Sequence, residues 1–215
     1  MKQLTTYNRT VQYLNKVFKL INAEYFGGEL EHPTITVQST LRAYGHVTTS
    51  KVWTNEKGEA TYELNIGADY LNRPIDYIVA TLIHESCHLY NLQNGIQDTS
   101  NNGIYHNKKF KAVAEQSGLI VERHPRYGWS VTSPSDETIR FCLENGLREI
   151  LCTRDAGFSF FGIGTDKAAS GSPDKATKKK GNSIKWVCPC CGTIIRSTKQ
   201  VNVICGDCGV KFEEA

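Results

Sequence analysis

The chain has 215 residues, 40% of them hydrophobic and 22% charged, the balance of one ordinary globular domain with a small appendage and not of a disordered or collagen-like chain. Its longest apolar run, around Ile78–Ile83, falls far short of the roughly 18–20 residues a membrane span needs, and no apolar run of signal-peptide type follows Met1-Lys2, so the expectation is a cytoplasmic protein with reduced thiols and no membrane partner. The net charge of +3 is lopsided, with 16 Lys+Arg against 17 Asp+Glu through residue 164 and 9 against 5 beyond it.

Val11, Leu14, Phe18, Ile21 and Tyr25 recur at helical steps and predict an amphipathic helix ending at Gly27-Gly28. Three β-prone segments follow, 34–38, 44–49 and 60–66, with a turn at Asn55-Glu56-Lys57-Gly58. They predict one small, mostly antiparallel sheet, and the 60–66 segment is a candidate edge for an extended peptide. From Pro74 to Gln93 the residues Ile75, Ile78, Val79, Leu82 and Leu89 form one apolar helical face, and Asn94-Gly95 stops the run. A polar loop over 97–103 leads to a helix over 107–117, a short strand near 119–121 and a helix over 135–147. The class is α+β. Residues 165–183 hold five lysines among Ala, Ser, Gly, Thr and Pro and read as a flexible basic linker between a first domain (1–164) and a last one (184–215). Phe158, Phe160 and Phe161, just before the linker, are expected to dock on the first domain.

The most informative stretch is His84-Glu85-Ser86-Cys87-His88. Two histidines four apart on a helix lie one turn apart on one side, so both can reach a single Zn²⁺. Glu85 flanks them. Zinc lowers the pKa of a bound water toward about 7, and a carboxylate beside it can take the proton during attack on a carbonyl. With 6 His and 14 Glu in the chain, chance supplies only about 0.01 such patterns, so coincidence is a weak competitor. A third ligand is required downstream. The metzincin spacing is excluded because Asn91 and Asn94 occupy its glycine and histidine positions. His106, at the expected start of the next helix, is the best candidate, with Glu115 and His124 as fallbacks. Tyr105, His46 and Arg73 are candidate donors to a developing oxyanion.

The apolar helix, Tyr25-Phe26-Gly27-Gly28-Glu29-Leu30, a small sheet, Thr81-Leu82-Ile83-His84-Glu85-Ser86-Cys87-His88, and His106-Asn107-Lys108-Lys109-Phe110 together resemble the SprT-like, Spartan-related zinc metalloprotease family. The resemblance covers about residues 8–130. It implies a zincin-like metalloprotease domain in which His84, His88 and His106 hold a catalytic zinc and Glu85 is the catalytic acid/base. It also implies a protein substrate, and some members act on proteins crosslinked to DNA.

Cys188-Pro189-Cys190-Cys191-Gly192 and Cys205-Gly206-Asp207-Cys208-Gly209 form two CxxC-Gly knuckles. Four thiolates from two tight turns make a closed tetrahedral site, so Cys188, Cys191, Cys205 and Cys208 are expected to hold a second, structural Zn²⁺ in a small β zinc ribbon with short strands at 184–187, 193–196, 201–204 and 210–212. Cys190 is a spare thiol, and Cys87, Cys142 and Cys152 are expected to be buried. Lys175, Lys178, Lys179, Lys180, Lys185, Arg196 and Lys199, with Trp186 among them, suggest a DNA-binding linker and ribbon, single-stranded or duplex. The same residues leave two other functions open: a nucleic-acid or protein-binding adaptor with a zinc-bound but non-proteolytic scaffold, and a general peptidase indifferent to DNA.

Overall fold

In the computed structural model, which describes residues 3–40, 43–154 and 184–214, Leu14, Val17, Phe18 and Ile21 turn one face of helix α1 (Tyr7–Tyr25) into the core. The helix stops where Gly27 and Gly28 take positive φ, and the Gly28 N–H folds back to the Asn22 carbonyl. The chain divides into two compact units, Met1–Gly162 and Ile163–Ala215. The expected linker and the three phenylalanines before it lie outside the described residues.

Strands β1 (Thr34–Gln38), β2 (Gly45–Val47) and β5 (Glu63–Gly67) form a sheet in the order β1-β5-β2. Where a mostly antiparallel sheet was expected the pairing is mixed, because β1 and β5 run parallel over five residue pairs while β2 is antiparallel to β5. The reason lies in burial: Leu64 and Ile66 on β5 are almost wholly enclosed, so β5 takes the centre, and the short β2, with its exposed His46, takes an edge. Both sides of β5 are therefore paired. The expected substrate edge at 60–66 is overturned, since its first two residues form β4 (Ala60–Thr61), which closes a hairpin with β3 (Trp53–Thr54) around the Asn55–Gly58 turn.

Helix α2 (Ile75–Gln93) is the hub. Ile78, Val79, Leu82, Ile83 and Leu89 are completely buried, but so is Cys87, and Glu85, Ser86 and Asn91 are buried too. The single apolar face expected from the sequence is thus only half of the packing. Helix α1 and the first sheet cover α2, and a second sheet closes on it through β9. That sheet runs β6 (Thr99–Ser100), β7 (Tyr105–His106), β9 (Gly128–Pro134), β8 (Leu119–His124), and helices α3 (Lys108–Gln116) and α4 (Asp136–Glu144) flank it. The expected loop over 97–103 contains all of β6, and β9 is an addition to the expected elements. Cys87 and Cys142 are buried as expected, Cys152 only partly. Among the described residues no helix is long and apolar enough to cross a membrane.

In the second unit, β10 (Ile184–Val187) lies between β11 (Ile194–Ser197) and β12 (Glu213–Glu214). The strands expected at 201–204 and 210–212 reduce to a single bridge, Ile204 to Lys211. Trp186, Cys188, Cys205 and Phe212 make up its small core. Trp186 is only 6% exposed, so it packs the unit and is not free to stack on a base.

Candidate metal centre

His84 and His88 project from adjacent turns of α2, and β7 carries His106 to the same point, on a strand and not at a helix start as expected. The three Nε2 atoms stand 3.0–3.2 Å apart. Tetrahedral Zn–N bonds of the usual length put nitrogens about 3.3 Å apart, so the spacing is that of three corners around one ion. The far nitrogens support this orientation: His88 Nδ1 lies 2.7 Å from the Asp98 carboxylate and His84 Nδ1 3.0 Å from Thr132 Oγ1. With its proton donated outward to Asp98, His88 turns a lone pair inward. Burial holds His84 well below the ordinary imidazole range and pushes His106 down to about 4, with neighbouring histidines adding to both. Neutral imidazoles are what a metal needs. Phe110 lies against all three rings at 4.6–4.7 Å and walls the cluster from behind. Glu115 is elsewhere, paired with Lys111, and His124 Nδ1 accepts the N–H groups of Arg126 and Tyr127 in a turn.

Asp98 has no motif to announce it. Its carboxylate accepts from both His88 and Asn91, while its backbone carbonyl accepts the Asn107 N–H at 2.9 Å. Asn107 caps α3 through Lys109 and Phe110, and Thr99 next to Asp98 pairs with His106. One residue therefore ties the α2 histidines to the strand that brings the third. Asp98→Asn keeps the shape but weakens the hold on the His88 proton, and the expected result is a 10–100-fold loss of zinc affinity in chelator competition. Unchanged affinity would remove Asp98 from the support of the site.

Glu85 lies beneath the edge strand β2. Burial pushes its carboxyl up to about 7, with His88 and the Val47 N–H acting in the opposite direction. A divalent cation at the histidines would also favour the carboxylate. Strand β2 can approach this closely because residue 45 is glycine: an added Cβ would stand 2.8 Å from the Asn65 carbonyl oxygen and 3.2 Å from Glu85 Cγ. A glycine inside a predicted strand is the available sequence signal for this contact. Gly45→Ala should cost about 1–3 kcal/mol of stability, measured by denaturant unfolding. Gly45, Val47, Glu85, His88, Asp98 and His106 line a cavity of about 550 Å³. Of the candidate oxyanion donors, Arg73 is committed to Thr81, the Tyr70 carbonyl and the Tyr44 ring. Tyr105 lies where a side chain on Gly128 would be. His46 also borders the cavity, but strand alternation sets its side chain on the face opposite Gly45 and Val47.

In the second unit Cys188, Cys191, Cys205 and Cys208 converge, with all four sulfurs within 4.8 Å of one another. The 3.7 Å between the Cys191 and Cys205 sulfurs matches the roughly 3.8 Å edge of a tetrahedral zinc–thiolate site. The two knuckles repeat one turn: Gly192 and Gly209 take positive φ, and their N–H groups return to the carbonyls of Cys188 and Cys205. Thr193 draws the Cys191 thiol down to about 6. Cys190 is exposed. Both donor sets fit zinc.

A family model described as the SprT-like family matches residues 14–127, over half of the chain, from within α1 to the turn between β8 and β9, and it spans His84–His88 and His106. The chain belongs to the SprT-like family. SprT-like domains are of metallopeptidase type, with proteins as substrates. Searches of curated proteins and of solved structures found no match. The four-cysteine cluster lies outside the part that makes this chain SprT-like.

Proposed function

We propose that this chain is a zinc-dependent peptidase that hydrolyses proteins associated with or crosslinked to DNA. The carrying observation is the convergence of three imidazole nitrogens beside a buried carboxylate and beneath a strand edge. A zinc ion held by His84, His88 and His106 would supply a Lewis acid and a water whose pKa is lowered toward about 7. Glu85 takes the proton from the attacking water and delivers it to the departing amine. Asp98 and Thr132 hold His88 and His84 in orientation. An extended peptide lies along β2, where Tyr44 and Thr48 already bond to β5 and the Val47 N–H faces Glu85, so the backbone groups of Gly45 and the Val47 carbonyl are left for it. The DNA-directed part is supported by the family resemblance and by the lysines of 165–183, with the ribbon, held by its own zinc, as an appended module.

The test compares hydrolysis of one protein substrate, free and crosslinked to single- or double-stranded DNA, with zinc content measured first. Cleavage stimulated by DNA is the expected outcome. Cleavage indifferent to DNA would make the chain a general peptidase, and binding without cleavage would make it an adaptor.

A further inference from the structure

We propose that the cavity beside the three histidines is a specificity pocket, which takes an apolar side chain of the substrate on the amino side of the cleaved bond and in which Leu92 and Ile96 select it. The inference rests on the peptidase reading above and deepens it by naming the class of residue at which the chain cuts. The cavity is one-sided. Of helix α2 it is lined by Glu85, His88 and Leu92 and by none of the residues before Glu85, and Gly95, Ile96 and Gly103 complete its wall. It therefore runs from the metal ligands toward the C-terminal end of the helix, where Leu92 lies one turn, about 6 Å, beyond His88.

Leu92 and Ile96 are half-buried, yet neither packs against the core. Their place is set by how α2 ends. Gly95 takes a φ of +66°, its N–H returns to the Leu92 carbonyl, and the Ile96 N–H returns to the Asn91 carbonyl at 2.7 Å. This is the Schellman pattern, which folds the residue after the glycine back onto the last turn. Asn94-Gly95-Ile96 thus both stops the helix and sets a branched apolar side chain at the cavity wall. The polar groups there are already engaged: the Asp98 carboxylate accepts from His88 and Asn91, and the Thr48 hydroxyl donates to the Ser50 carbonyl while accepting the Glu63 N–H. Among the described residues no lysine or arginine lines the cavity. An acidic side chain would meet no cation, whereas an apolar one gains from burial against Leu92 and Ile96. The side of the cut follows from β2. Gly45 at its start lies against Thr81 and Glu85, and Thr48 and Thr49 beyond its end line the cavity. A peptide paired antiparallel to β2, the more stable direction, carries its amino-terminal half over Thr48 and Thr49 and so over Leu92 and Ile96.

The experiment digests a mixed peptide library with the full-length, zinc-loaded chain in the presence of DNA and maps the cleaved bonds by mass spectrometry. Leu, Ile, Met and Phe should be enriched within two residues on the amino side of the cut, and a leucine peptide should exceed its alanine counterpart by about ten-fold or more in kcat/KM. In Ile96→Lys, with zinc content at the wild-type level, that enrichment should fall and Asp and Glu should rise at the same position. Ile96→Ala, which brings no charge, should lose part of the leucine preference without any gain of acids. Apolar enrichment confined to the carboxyl side, enrichment of Lys or Arg instead, no positional preference, or an unchanged cleavage pattern in both variants would each overturn the pocket while leaving the peptidase reading intact. A wild-type chain that holds zinc and cleaves no peptide would remove the peptidase reading itself, and the inference with it.

Discussion

Glu85→Gln is expected to lower peptide hydrolysis by about 10²–10⁴-fold, the usual contribution of a positioned general acid–base group, with zinc content unchanged. The substitution keeps the side chain's shape, so the close packing of β2 over Glu85 is preserved. It removes only the capacity to accept and return a proton. Folding should not suffer, because burial already pushes this carboxyl up to about 7 and a neutral amide is no harder to enclose than a carboxylate. Side-by-side measurement of hydrolysis, bound zinc and the unfolding midpoint separates the possibilities. Retained hydrolysis with normal zinc would take Glu85 out of the reaction. Loss of hydrolysis together with loss of zinc would show that the side chain supports the site's architecture instead.

Cys205→Ser is expected to unfold the second unit and leave the first intact. Among the described residues, Cys205 is one of four buried in that unit's core, the others being Trp186, Cys188 and Phe212. So small a core cannot offset the conformational entropy of ordering the strands. Metal binding of the zinc-finger kind contributes about 10–16 kcal/mol in apparent terms, enough to decide whether such a unit folds. Hydrogen exchange should show loss of protection in β10 and β11, with α2 and its neighbours still protected and one zinc fewer per chain. Persistent pairing of β10 with β11 and β12 in the variant would mean that Trp186 and Phe212 hold the unit without metal.

Much of the site is legible in the sequence because its strongest signals are local. His84 and His88 face one point through the 3.6-residue period alone, and each CxxC-Gly knuckle closes within five residues. Helix α1 is legible from its apolar stripe, and the ends of β1 from the polar residues around it. The β2 edge is not legible, because β-prone residues at 60–66 say that a strand exists but not which neighbours it takes. Trp186 misleads for a related reason: an aromatic among lysines has the composition of a nucleic-acid contact, and only the packing of a thin three-stranded sheet turns it inward. Asp98 and Thr132 carry no signal, since a lone Asp in a polar loop and a lone Thr in an unpredicted strand look like ordinary surface residues.

By itself the sequence determined the four-cysteine set, the type of most elements and the placing of His84, Glu85 and His88 on adjacent turns of one helix, because backbone periodicity converts spacing into direction over a few residues. The tertiary structure decided which of the later histidines completes the triad and which strand is left with an open edge above Glu85. These depend on the close approach of Gly45 to α2, on the pairing of His106 with Gly128 and on the tie from Asp98 to Asn107. Each joins segments whose separation along the chain has no fixed geometric meaning. Their meeting is set by burial and by strand pairing between distant segments, which single-sequence spacing does not encode.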